Sequence, residues 1–286
     1  MKRLAVAVGL AALAWTGQSS QELPPWVLQL ARIKQNVRSH LQHLPNCVCL
    51  ETVERFRALR KPYRLTKLDT LRFEIASVDG KELFALPGSG KSQRGDVWAH
   101  VGSGFIGTGT FSGFLHTLFA TQEPRFTFRG EEDLPARAGK AEMKRQALRY
   151  DFEVSSLFTG YTLILNARSG MIGFRGSFWA DAGSLDLLRM ELHAIEIPPV
   201  LAEVKSSDMT MDYARVRVGR SDVLLPRFAE MLVTYASGAQ ERNVVELSGC
   251  REFASESTVQ FFSMESIPPG EAPAPPGTYP GSGQKK

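Results

Sequence analysis

Cysteine is scarce in this chain, with three residues in 286: Cys47, Cys49 and Cys250. A structural zinc site takes four ligands at paired spacings, so these cysteines do not make one. The five histidines do not supply the deficit, since His40 and His43 share a predicted helix face while His100, His116 and His193 are scattered. No metal and no cofactor is expected. Long apolar runs are also missing: only Leu4 to Trp15 qualifies, about twelve residues. A helix needs about twenty to cross a bilayer, so no transmembrane span is expected in the mature chain. Charge of one sign never accumulates, with 34 cationic and 30 anionic side chains interspersed. No block of five or six like charges marks a nucleic-acid footprint. There is no G-x-S-x-G elbow, and a serine, histidine and aspartate triad cannot be assembled from scattered members. Nothing here specifies catalysis, and the expectation is a protein that is not an enzyme.

Apolar residues are plentiful, 43% of the chain with 9% aromatic, which is ample for a packed core. Lys2 and Arg3 precede the apolar run, and Thr16, Gly17, Gln18, Ser19 and Ser20 follow it. This is the layout of a secretory signal peptide, residues 1–19, with cleavage near Ser19 and Ala14 as the alternative. No cysteine lies between Thr16 and Gln21 to carry a lipid. The expected location is the periplasm or the exterior, where disulfides persist. Cys47 and Cys49 leave the same face of a strand-like run. Either could meet Cys250; Cys49 with Cys250 is the expected pair, joining the first strand to the last.

Pro24 and Pro25 suit a helix start, and Trp26, Leu30, Ile33, Val37 and Leu41 form one stripe of an amphipathic helix ending near Pro45. Alternating segments dominate afterwards: Cys47 to Arg57, Leu68 to Val78, Lys81 to Leu86, Arg125 to Arg129 and Ala147 to Val154. They continue with Tyr161 to Ala167, Met171 to Trp179, Leu187 to Ile195, Met211 to Val218, Val223 to Tyr235 and Glu241 to Phe253. Only Phe111 to Thr121 reads as a second helix. Strand and long helix never alternate, which disfavours a doubly wound parallel sheet. Residues 267–286 hold six of the sixteen prolines and read as a disordered tail. Residues 20–266 are left as a single domain.

Three motif matches fail on context. Ala85 to Ser92, ALPGSGKS, fits a relaxed phosphate loop with Lys91 and Ser92 as contacts, but no helix starts after it. Gly102, Gly104 and Gly107 fit a dinucleotide fingerprint, yet Gly107-Thr108-Gly109-Thr110 prolongs a flexible stretch where a helix should open. Glu131, Glu132 and Asp133 could supply acid–base groups or hold calcium, and the simpler reading is a solvated loop.

Residues 161–253 carry a resemblance. Gly170 to Asp181, ending in Trp179-Ala180-Asp181, is followed by Leu185-Asp186-Leu187-Leu188-Arg189. Asp212 to Val216 then precedes Leu225-Pro226 at the start of a long segment. This order resembles the LolA-like lipoprotein carriers and RseB-like envelope sensors, periplasmic β half-barrels. More narrowly, Leu44-Pro45-Asn46 before Cys49 and Ser248-Gly249-Cys250 are similar to a group of uncharacterised exported bacterial proteins, which carries no function over. The resemblance implies a mainly β (α+β) fold, a curled antiparallel sheet with the N-terminal helix and a short second helix in its concave face. It also implies an apolar cavity that accepts a lipid or a lipoprotein acyl chain. Phe111, Phe114, Leu115, Leu118, Phe174, Phe178 and Trp179 are the candidate lining. Known carriers latch their lid with a polar pair, and none can be assigned here. The alternative is a sensor or assembly module that binds another envelope protein through edge strands and the tail.

Overall fold

The computed structural model describes residues 22–78, 81–88, 104–106, 112–135, 145–159, 161–165, 168–252 and 262–263. The expected signal peptide, Phe111, Lys91, Ser92, Gly102, Gly107, His100 and the tail lie outside them. Helix α1 (Pro25–Gln42) starts with Pro24 as N-cap and Pro25 at its first position, where a missing N–H costs nothing. Its stripe turns Ile33 and Val37 fully inward and packs Trp26, Leu30 and Leu41 beside them.

Strands β1 (Cys47–Ala58), β2 (Thr66–Val78), β3 (Lys81–Ala85) and β4 (Phe105–Ile106) follow. One α turn, α2 (Gly113–Leu115), runs directly into a π turn (His116–Ala120). Then come β5 (Arg125–Asp133), β6 (Gln146–Val154), α3 (Ser156–Thr159), β7 (Thr162–Leu165), β8 (Arg168–Met171), β9 (Gly173–Asp181) and β10 (Leu187–Ile195). A 3-10 turn (Pro199–Leu201) leads to β11 (Val204–Val218), β12 (Ser221–Tyr235), β13 (Gln240–Glu252) and β14 (Phe262–Ser263).

Eleven strands form one antiparallel sheet in the order β14-β3-β2-β1-β13-β12-β11-β10-β9-β6-β5. It is curled but not closed, with β14 and β5 as its edges. The fold is therefore the expected half-barrel. Its curl has local causes. A Cβ on Gly176 would lie 1.8 Å from the Glu191 carbonyl oxygen, so only glycine lets β10 approach β9 this closely. Bulges in β13 opposite Val48/Leu50, in β5 at Phe128/Gly130 and in β12 opposite Asp212/Tyr213 add twist. Pro226 pairs with Tyr213 at the last of these, a place in the ladder where a residue without an N–H is tolerated.

Cys49 and Cys250 are bonded, and Cys47 is free and buried. The bond ties β1 to β13, which already pair from Cys47↔Glu252 to Ala58↔Gln240. Several elements differ from the sequence reading, two of them at the inner face or the sheet's end. Strand β11 begins at Val204 rather than Met211: past an irregularity at Val204/Ser206, Ser206, Asp208 and Thr210 face outward while Ser207 and Met209 turn in. Residues 161–171 do not enter the main sheet: β7 and β8 form a hairpin that pairs with β4 in a separate sheet, β4-β7-β8.

That small sheet, α1 and the α2–π segment are packed over the inner face. Phe105, Leu163, Leu165, Phe114, Leu118, Phe119 and Ile33 all belong to one core with the inward residues of the large sheet. No helix among the described residues is long and apolar enough to cross a membrane.

Candidate functional site

Alternation along each strand sends every second side chain to the concave face, and three chemically distinct zones result. The first is an aromatic wall on β5, β6 and β9. Phe178 stacks on Tyr150 at 5.1 Å and meets Phe119 edge-on at 5.2 Å. Phe126 and Phe128 of β5 extend the wall, with Trp26 of α1 stacked on Phe128. The Tyr150 hydroxyl donates to the Trp26 carbonyl at 2.9 Å, and burial pushes its pKa up to about 12. Phe114 sits between Tyr161 at 4.7 Å and Phe174 at 5.6 Å.

Four methionines make the second zone. Met190 of β10 faces Met211 of β11, and Met209 of β11 faces Met231 of β12. All are buried in the same core. Thioether side chains are flexible and polarizable, so such a band repacks around objects of different shape.

The third zone is polar and lies where β1, β2, β12 and β13 meet β4. Arg55 pairs bidentately with Asp69, its Nε at 2.7 Å. Arg57 pairs with Glu241, which also accepts from the Tyr235 hydroxyl at 2.9 Å. Burial and then the Glu241 charge raise the Tyr235 pKa. Gly104 lies close above: a Cβ there would stand 2.9 Å from Glu241 Oε2, at a φ of 92°. Asn243 Nδ2 donates to the Phe105 carbonyl at 2.9 Å, and Arg38 Nε donates to the Phe119 carbonyl at 2.5 Å. Each cover segment is thus held by a side chain gripping its backbone.

Phe114, Leu115, Leu118, Phe174 and Phe178 come together in this core, each at most 3% exposed. Trp179 does not join them. It follows Phe178 in β9 and therefore points to the convex face, in a separate cluster with Ala147 and Leu188. There its Nε1 donates to Glu132 at 2.8 Å and the Arg149 guanidinium lies over its ring. Sequence reasoning missed Phe126, Tyr150 and the methionines; Met209 and Met211, alternating in one strand, were the available signal.

Among the described residues the apolar part of the concave face is closely packed. Where Phe114 of the cover meets Phe174, Leu192 and Met209, a cavity of about 20 Å³ remains, room for about one water molecule. A larger groove of about 700 Å³ lies at one end of the half-barrel, between α1 and the β9–β10 and β11–β12 turns. Its cation, Arg215, is taken by both carboxylate oxygens of Asp186, at 2.7 and 2.8 Å. His40 accepts there from the Leu224 N–H at 3.4 Å, and burial followed by Arg215 lowers its pKa. His43 remains exposed, its ring nitrogen against the Ser39 carbonyl of its own helix at 2.7 Å. Glu131, Glu132 and Asp133 are not in a loop but in β5, where Glu132 holds Trp179 and Asp133 accepts from Gln146. Among the described residues no cluster of three potential metal ligands exists.

No protein-family model matches the sequence, and no curated protein matches it. Among solved structures the chain is similar to a DUF1329 family protein from Desulfovibrio piger, with 10% identity, a TM-score of 0.39, and 82% of this chain and 95% of that one covered. It is also similar to a LolA superfamily protein from Nitrosomonas europaea, with 10% identity, a TM-score of 0.36, and 79% and 94% covered. Likenesses this distant transfer no residue role and no activity.

Proposed function

We propose that this is an exported, non-enzymatic binder of an apolar ligand, a lipid or a lipoprotein acyl chain, taken up between the concave face and its cover. One observation carries the reading: an aromatic wall and a methionine band lie under cover segments that belong to none of the eleven sheet strands. Packing an apolar cover on an apolar face is reversible in a way that breaking ladder hydrogen bonds is not, because hydrocarbon can replace the cover's side chains at similar cost. Ligand pockets usually measure about 300 Å³ or more, so the closed form described above must open. Withdrawal of Phe114, Leu118 and Phe119 from Phe174, Phe178 and Met209 supplies the space. Buried Arg55 and Glu241, with their half-buried partners Asp69 and Arg57, are occupied in pairing beside Gly104, which supports a positioning role over a chemical one.

The sensor or assembly alternative draws less support. Strand β5 offers an edge, but Arg125, Arg129, Glu131 and Asp133 line it with exposed charge, a common defence against strand addition.

Native mass spectrometry of protein purified without detergent, followed by titration with a fluorescent fatty acid, tests the reading. The expected result is a bound acyl-chain mass, or saturable uptake by delipidated protein. A clean apo mass together with no uptake overturns it.

A further inference from the structure

The turn between β1 and β2 carries a second, separate feature. From Arg55 to Leu68 the sequence R-F-R-A-L-R-K-P-Y-R-L-T-K-L contains six cations and no acid. Folding neutralises three of them: Arg55 goes to Asp69, Arg57 to Glu241 and Lys67 to Glu54. Arg60, Lys61 and Arg64 are exposed at the tip, and among the described residues no carboxylate pairs with them. Between them stand apolar side chains in water: Leu59 is 73% exposed and Leu65 38%. Tyr63 is half-buried with the Lys61 ammonium 5.8 Å from its ring centre.

Register places a second apolar group at the same end of the sheet. Ala58 of β1 faces Gln240 of β13, Thr234 of β12 faces the same residue, and Val204 of β11 faces Tyr235. The connection from β10 to β11 is therefore at this end, and it carries Val200 at 45% exposure. Gly170 of β8 abuts Pro198 and Val200, which brings Met171 there. Thr159 of α3 donates to the Ile172 carbonyl at 2.8 Å, which brings Leu157 and Phe158, 79% and 55% exposed.

We propose that this end of the half-barrel docks on an anionic phospholipid bilayer. Charge complementarity selects that occupant: three unpaired cations crowd one turn of a chain whose charges elsewhere nearly balance. Arginine and lysine reach phosphate headgroups while their stems and neighbouring leucines enter the acyl boundary, and tyrosine favours that interface. Leu59 and Leu157, each more than 70% exposed, protrude rather than line a groove. A deformable lipid surface accepts protrusions without a matching pocket, whereas a protein partner would have to supply one for each.

The test is flotation of the purified full chain with phosphatidylcholine vesicles, with and without phosphatidylglycerol. Binding is expected only with the anionic lipid and should weaken as salt screens it. The variant R60E/K61E/R64E should lose binding by roughly tenfold or more. Leu59→Ser with Leu65→Ser should reduce it while leaving the salt dependence in place. Both variants alter exposed turn residues, and an unchanged melting curve checks that they fold. Equal binding to both vesicles, no binding to either, or full binding by the charge-reversed variant overturns the proposal. Capture of an acidic protein by a chain that ignores vesicles overturns it equally. Fatty-acid uptake in solution should survive charge reversal at the turn, so failure here and failure of the ligand-binding reading are separable.

Discussion

Cys47 and Cys49 leave the same face of β1, and their spacing alone does not choose between them. Gly249 does. Its φ of 57° creates a bulge in which Gly249 and Cys250 together oppose Cys49, while Val48 and Leu50 keep their partners Arg251 and Ser248. Cys47 is left opposite Glu252. Burial first, and the Glu252 charge second, push its thiol up to about 11. Because a raised thiol pKa favours the protonated, unreactive form, Cys47 should resist alkylation at neutral pH in the native protein. Intact mass after iodoacetamide should show no adduct in buffer, one in denaturant without reductant, and three with reductant. An adduct in buffer would contradict the buried thiol. Disulfide parity was legible in the sequence; the glycine that decides the partner was visible but had no meaning until the register was known.

Among the elements, β9 shows what alternation can and cannot convey. Its run G-F-R-G-S-F-W-A-D is apolar on both faces at Phe178 and Trp179, so the sequence does not say which aromatic looks inward. Burial does not say either, since both are at most 2% exposed; only the clusters they join separate them. Tyr161 to Ala167 alternates as well as any strand of the main sheet, yet β7 pairs with β8 and β4 in a separate sheet, because alternation carries no address. Gly176 is the clearest element-scale prediction. It sits on the inward face between Phe152 and Leu192, and any Cβ there meets the Glu191 carbonyl carbon at 2.8 Å as well as its oxygen. Backbone cannot yield as a flexible side-chain tip can. Gly176→Ala should therefore cost on the order of 3 kcal/mol, measured by urea unfolding. A loss under about 1 kcal/mol would mean that the sheet is less tightly coiled than described.

At the scale of the whole molecule, a half-barrel was legible because hairpins succeed one another, one amphipathic helix precedes them, and little else is available to fill a concave face. Its closure was not legible: an apolar lining has the same residues whether it encloses a ligand or packs against its own cover. The difference is one of free energy between the two states, and it can be probed. Segments with few ladder hydrogen bonds open before segments with many. Amide exchange should then proceed faster in β4, β7 and β8 than in β1, β12 and β13. The bond from Asn243 to the Phe105 carbonyl is one of the ties that oppose opening. Its loss in Asn243→Ala should weaken the closed state by about 1 kcal/mol, after which the open population rises about fivefold. Fluorescent fatty-acid uptake should accelerate by the same factor, while exchange in β1 and β13 stays slow because their ladder and disulfide are untouched. If uptake keeps its rate while β4 amides exchange faster, the cover moves but does not gate the concave face, and the ligand must enter elsewhere.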